Sequence, residues 1–293
     1  MNNFRGRFHI RPNVKKGKSM NLSNDVVIHK KIDDVEILQF RKHLEFPNIS
    51  HAYALKNLNF RRGDDGKSRY SEYEKLLNAI GVNPKTLVKP NQKHTDNILE
   101  ITKKENLNGP DIYLEYLDGI DGTITNKSNI TLTSTNADCI LIMFYDPFKN
   151  VIANVHSGWR GTFKKIAQKV VKNMKNDYGC KAENILCFIC PSIRTCHFEV
   201  EEDVKVPCED LFRYTNKLDD IIKLGRVVNG VQKYNIDTVL INKIILEEEG
   251  IKPENICDSN ICSVCNCEKV HSRRAEGVDF GVGTAVIEIS SAF

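Results

Sequence analysis

Residues 138–162, DCILIMFYDPFKNVIANVHSGWRGT, constrain the fold more than any other stretch of the chain. Two apolar runs, Ile140–Tyr145 and Val151–Val155, flank Asp146-Pro147-Phe148-Lys149-Asn150, whose residue types suit a tight connection. The pair reads as a β-hairpin. Symmetric pairing about the turn sets Tyr145 opposite Asn150 and Cys139 opposite His156, with Cα atoms about 4.5–5.5 Å apart and side chains on one face. A thiol and an imidazole then reach each other, or a single metal ion. A slip of one residue would separate them.

Past His156 the chain runs through Ser157-Gly158-Trp159-Arg160-Gly161-Thr162 into an apolar stripe. Phe163, Ile166, Ala167, Val170, Val171 and Met174 recur at helical spacing, and Gly179 stands beyond the end. The start of this helix offers unpaired backbone N–H groups to an anion beside Arg160 and Thr162. The residues are equally consistent with Thr162 as a cap and Arg160 as an ion-pair partner. Elsewhere, 35–40 and 51–55 read as strands, Tyr70–Ile80 as a helix ended by Gly81, and 86–89 and 97–101 as strands on either side of Pro90–His94. A helix over 239–250 is closed by Gly250, and 284–289 is a final strand. Helices alternate with strands that are partly hairpin-linked and partly crossed over, which predicts an α+β fold, a mixed sheet covered by helices.

With 293 residues, 41% hydrophobic and 27% charged, the chain can bury a core without disulfide support. No apolar run approaches the roughly 18–20 residues of a membrane span, and no secretion signal is recognisable, so a cytoplasmic protein with no membrane partner is expected. The net charge of +4 is uneven: residues 1–24 carry six basic residues and no acid, leaving the remainder slightly acidic. That distribution argues against a nucleic-acid partner. It also suggests a basic, disordered tail over 1–24 and one domain over 25–293, acting as a monomer or homodimer. The ten cysteines are expected to be buried thiols, metal ligands or a nucleophile. Cys187 and Cys190 lie in the apolar run ILCFIC, a buried strand with its thiols on different faces. Cys257, Cys262, Cys265 and Cys267 fall within eleven residues. Their CxxCxC spacing is not that of a standard zinc knuckle, so ordinary thiols are favoured there over a second zinc or an iron–sulfur site.

Taken together, QKH (92–94), NADC (136–139), HSGWRGT (156–162), PSI (191–193), FEV (198–200), CSVCN (262–266) and the arginine pair 273–274 resemble the YfiH/YlmD family. Its members are known as laccase-domain or polyphenol oxidoreductase proteins and as purine nucleoside phosphorylases with adenosine deaminase activity. The resemblance spans about residues 36–289. It implies a layered αββα-like fold and a zinc held by His94, Cys139 and His156, with a purine nucleoside and phosphate as substrates. Candidate substrates are adenosine, inosine, guanosine and methylthioadenosine. Three N/S ligands and an open fourth position suit a catalytic zinc. Phosphorolysis gives basic residues a task, for which Arg160, Arg273, Arg274 and Lys56 are the candidates. Asp138, beside a ligand, is a candidate to orient a histidine or move a proton, or else to brace the backbone. Departures from the family pattern fall at HAYALKN (51–57), where Lys56 replaces an arginine, and at HSRRAEGVDFGVG, where His271 and Val282 stand in place of a serine and an arginine.

Three other readings compete. Cys139 and His156 could form a metal-free thiolate–imidazolium pair in a hydrolase or amidase, a reading that has no use for His94. A two-histidine, one-cysteine set also suits copper, hence a polyphenol oxidoreductase, although none of the eight histidines forms the HxH pair of multicopper oxidases. A non-catalytic metal-binding module is the third.

Overall fold

Along Ile140–Asp146 successive side chains point to opposite faces, and both faces are apolar, so this strand must be covered on both sides. In the computed structural model, which describes residues 20–63, 69–102 and 115–291, that requirement organises the architecture. The strands are β1 (Val27–Ile32), β2 (Val35–Phe40), β3 (Ile49–Ala54), β4 (Leu87–Val88), β5 (Ile98–Glu100), β6 (Gly122–Thr125), β7 (Thr131–Asn136), β8 (Ile140–Asp146), β9 (Val151–Ser157), β10 (Leu186–Ile189), β11 (Glu199–Val200), β12 (Ile222–Val228), β13 (Val231–Ile236), β14 (Ile256–Asp258) and β15 (Gly283–Ile289). The helices are α1 (Tyr70–Ala79), α2 (Trp159–Phe163), α3 (Ile166–Tyr178), α4 (Glu202–Phe212), α5 (Leu218–Ile221), α6 (Thr238–Glu248) and α7 (Arg273–Glu276).

Two six-stranded sheets, β1-β2-β3-β15-β7-β4 and β14-β10-β8-β9-β6-β5, each mix parallel and antiparallel pairs; a small sheet, β11-β13-β12, stands apart. Between the large sheets lie Leu38, Tyr53 and Ile287 from one and Leu141, Met143 and Phe188 from the other. On the far face of the second sheet, Ile140, Ile142 and Phe144 pack against α3 and α6. Beyond the first sheet, Ile37, Ala52 and Val286 pack against Tyr73, Leu76 and Leu77 of α1. The layers therefore run helix, sheet, sheet, helix, as the αββα expectation has it. Cys187 belongs to the helix-side core and Cys190 to the core between the sheets, the opposite faces expected of that strand.

The hairpin exists, but its register differs from the expected pairing of Tyr145 with Asn150. Tyr145 pairs with Ile152, Asp146 with Val151, and Leu141, not Cys139, lies opposite His156. Asp146 stays in the ladder, and its carboxylate accepts the N–H groups of Phe148 and Lys149 at 2.8 and 3.0 Å, so the four-residue connection is 147–150. Partners are displaced by two positions, so the side-chain faces are unchanged. The helix expected from Thr162 onward is broken at Lys165, whose left-handed backbone (φ 57°) separates α2 from α3; Gly179 ends α3 with φ 67°. Residues 1–19 of the basic segment lie outside the described residues. Met20–Asn24 lie against the protein, with Leu22 buried in the inter-sheet core. Among the described residues no helix is long and apolar enough to cross a membrane.

Candidate metal centre

Strand β9 delivers His156 to the end of the inter-sheet layer, where it is buried. Cys139 sits just before β8, on the same face as Leu141 and thus diagonally across from His156, still within side-chain reach. His94 comes from the loop before β5, with a left-handed backbone at φ 59°. The donor atoms of these three residues all lie within 4.8 Å of one another, with Cys139 Sγ 3.9 Å from His94 Nε2 and the two imidazoles nearly perpendicular, centroids 4.9 Å apart. Ligand bonds of about 2.0–2.3 Å place tetrahedral N/S donors roughly 3.4–3.8 Å apart, so the cluster needs only a small contraction around a cation.

Gly158 makes this convergence sterically feasible. A Cβ there would stand 2.9 Å from His94 Cδ2, 3.3 Å from Cys139 Sγ and 3.4 Å from His156 Cε1. The glycine of the HSGWRGT segment thus lies against all three side chains at once.

Asp121, which sequence reasoning missed, ties the site together. It precedes β6, and pairing of Gly122 with Val155 places it beside His156. Its buried carboxylate accepts a hydrogen bond from His156 Nδ1 at 2.7 Å, from the backbone N–H groups of Lys93, His94 and Thr95 at 3.1, 3.1 and 2.8 Å, and from the Thr95 hydroxyl at 2.7 Å. Burial pushes its pKa up, but the bonds from His156 and Thr95 outweigh it and hold the carboxyl at about 2. The His156 tautomer with Nδ1–H leaves Nε2 with a lone pair for the cluster. Burial would raise the Cys139 thiol. The charge of His156 and hydrogen bonds from His156 and His94 bring it below the ordinary thiol range instead. His156 is raised in turn, the Cys139 thiolate and Asp121 outweighing its burial.

Asp138 lines the cleft, but its hydrogen bonds go elsewhere than to a histidine. With φ at 87°, it accepts from Ser263 Oγ (2.6 Å), Ser272 Oγ (2.7 Å) and the Arg274 backbone N–H (2.7 Å). It braces two loops, and the histidine-orienting part expected of it falls to Asp121. The cluster lies in a cleft of about 660 Å³ whose walls include Arg160, Arg273, Arg274, Trp159, Phe198 and Phe280. Arg160 stacks on Trp159 (4.2 Å) and Arg273 lies over Phe280 (5.6 Å). Among the described residues neither guanidinium has a carboxylate partner. Arg274 donates to the carbonyls of His197 and Glu199 at 2.9 and 3.3 Å. Lys56, the fourth basic candidate, is outside the cleft: its ammonium donates to the Cys267 carbonyl at 2.7 Å and pairs with Glu276 at 3.3 Å. Thr162 lies inside α2, exchanging hydrogen bonds with Ser157 and Asn242, and so does not cap a helix.

Fold and site together define a class of helix–sheet–sheet–helix proteins with a two-histidine, one-cysteine cluster at the floor of a partly basic cleft. The family profile described as multi-copper polyphenol oxidoreductase laccase matches residues 47–290, and the chain belongs to that family. Purine nucleoside phosphorylase LACC1 of Mus musculus is 30% identical over 249 residues, covering 82% of this chain and 53% of the relative, so the chain spans about half the length of that protein. Adenosine deaminase RL5, from an unknown prokaryotic organism, is 29% identical over 231 residues, 79% of this chain and 86% of the relative. The crystal structure of Bacillus licheniformis YfiH superposes with a TM-score of 0.79 at 21% identity, covering 91% of this chain and all of that one, and establishes the shared fold.

Proposed function

We propose that the protein is a zinc-dependent enzyme of purine nucleosides, carrying out phosphorolysis and adenosine deamination. The observation that carries this reading is the convergence of His94, Cys139 and His156 beneath Arg160 and Arg273. The names of the relatives supply the substrate class. Two imidazoles, one thiol of lowered pKa and, among the described residues, no fourth protein donor within the cluster suit a catalytic zinc better than a structural one. Bound there, zinc would supply Lewis-acid polarisation and activation of water near neutral pH. The chain's own groups do the rest. Arg160 and Arg273 hold the phosphate anion through charge-assisted hydrogen bonds. Phe198, Phe280 and Trp159 give the cleft an aromatic wall for the purine. Asp121 fixes the His156 tautomer, and Asp138 holds the loop that carries Cys139.

Turnover of adenosine and inosine, with and without phosphate, tests the proposal. Phosphorolysis yields free base and ribose 1-phosphate only with phosphate present, whereas deamination yields inosine and ammonia without it. Cys139→Ala should abolish metal binding at this site and both reactions.

One observation favours a second reading. Cys139, His156 and Asp121 are ordered as thiol, imidazole and carboxylate, the arrangement of a cysteine hydrolase. His94→Ala separates the two, because a metal-free nucleophile survives it and the zinc enzyme does not. For copper-dependent polyphenol oxidation, the family's description as multi-copper oxidoreductases is the support. Oxygen consumption with a phenolic substrate and added copper would favour that chemistry.

A further inference from the structure

The second concentration of cysteines lies across one wall of the cleft. Parallel pairing of β10 with β14 continues as a bridge between Ser192 and Cys262, laying the loop after β10 beside the loop after β14. The first loop supplies Cys196 and His197, and the second supplies Cys262 and Cys265. Cys196 Sγ is 3.5 Å from Cys262 Sγ and 3.8 Å from Cys265 Sγ. His197 Nδ1 lies 3.2, 3.7 and 3.5 Å from the sulfurs of Cys196, Cys262 and Cys265. All four donor atoms fall within 4.8 Å of one another.

Bonds of about 2.3 Å to sulfur and about 2.0–2.1 Å to nitrogen give a tetrahedral zinc site S···S edges of roughly 3.8 Å and S···N edges of roughly 3.6 Å. Each of the five measured separations falls within about 0.4 Å of these edges. Neighbouring thiols have no comparable reason to surround an imidazole nitrogen at equal reach. We propose that Cys196, His197, Cys262 and Cys265 bind a second, structural zinc ion. Three thiolates and one imidazole form a closed, soft, tetrahedral set, which selects zinc over calcium or magnesium and leaves no position for substrate.

The ion clasps two loops that build the cleft. Phe198, which lines the cleft, follows His197 directly, and the His197 carbonyl receives the Arg274 guanidinium. Ser263, next to Cys262, donates to Asp138. The clasp shares no ligand with His94, Cys139 and His156, so it stands whether or not the function proposed above is correct.

The test is zinc stoichiometry by plasma mass spectrometry on the full chain, made without a histidine tag, purified with reductant, saturated with zinc and desalted. Cys265→Ser should lower the count by one, both in the wild-type background and in Cys139→Ser, where the double variant should hold none. If Cys265→Ser does not fold, His197→Ala serves for the same count. Cobalt bound to Cys139→Ser should show the intense thiolate charge-transfer and ligand-field bands of a tetrahedral sulfur-rich site. Unchanged zinc in Cys265→Ser, a metal-free Cys139→Ser protein, a pale octahedral cobalt spectrum, or a Cys196–Cys262 disulfide in reduced protein would each overturn the proposal.

Discussion

Replacing Asp121 by asparagine keeps the size of the side chain but cannot keep its bonding. The carboxylate accepts on both oxygens: Oδ1 takes His156 Nδ1 and His94 N, and Oδ2 takes Lys93 N, Thr95 N and the Thr95 hydroxyl. An amide has one accepting oxygen and a donating NH2. With its oxygen toward His156, the amide nitrogen faces the N–H groups of Lys93 and Thr95. Each stranded donor costs about 1–3 kcal/mol, so the loop carrying His94 is destabilised by about 2–6 kcal/mol. Flipped, the amide nitrogen faces His156 Nδ1. The imidazole can then accept only by moving its proton to Nε2, which takes the lone pair away from Cys139 and His94. Either orientation damages the cluster, and a fall in zinc affinity of about 10–100-fold is expected. Competition against a chromogenic chelator at fixed pH measures the affinity, and a thermal melt measures the loop. Zinc binding unchanged within a factor of two, with an unchanged melting temperature, would refute the assignment of Asp121 as the group that sets both the tautomer and the loop.

Gly158→Ala should cost the metal of the His94–Cys139–His156 site with little loss of stability, because the nearest obstructed atom, His94 Cδ2, belongs to an exposed residue; a metal count lower by one and an unchanged melting temperature together check this. Arg160→Ala and Arg273→Ala should each raise the phosphate KM about tenfold or more, the worth of one charge-assisted hydrogen bond, as read from phosphate titrations of inosine cleavage. Acid should weaken the core through His43 and His51, whose rings meet edge to face, centroids 4.3 Å apart, among buried residues. Burial lowers His51 to about 3 and His43 well below 6.5, so between these values the unfolded chain binds more protons and stability falls as pH falls. From pH 7 to pH 5 the loss through His51 is about 2 kcal/mol. His43→Leu should remove the part of the loss that His43 contributes, seen as a smaller difference between urea midpoints at the two pH values; an unchanged difference would refute a role for His43 in the acid loss.

How much of this was legible in the sequence depended on whether a feature was local. Period-two and period-3.6 patterns matched β2, α1, α6 and β15 nearly to the residue and the end but not the start of α3, and glycines 81, 179 and 250 closed helices with positive φ. His94, Cys139 and His156 came together as the family resemblance implied. The route was not the one drawn from the hairpin: Asp146 remained in the ladder, the register moved by two, and Cys139 reached His156 along a diagonal. A displacement of one would have put the thiol on the helix side of the sheet, so parity, not the identity of the paired residue, preserved the cluster.

What stayed hidden was decided by pairings between distant strands. Asp121 carries no motif and lies 35 residues before His156; only the antiparallel alignment of β6 with β9 brings it there. The grouping of the cysteine-rich stretch was hidden for the same reason. Counting thiols along 257–267 groups Cys257 and Cys267 with Cys262 and Cys265, but Cys257 lies within β14 beside Phe188, and Cys267 is outside the four-donor cluster. The missing two donors come from Cys196 and His197, more than sixty residues upstream, and become neighbours only because β10 and β14 run parallel. A ligand set divided between two parallel strand ends has no spacing signature, since parallel neighbours are joined by long crossovers of variable length. Here that crossover carries β11, α4, α5, β12, β13 and α6, so its residue count says nothing about the site it closes.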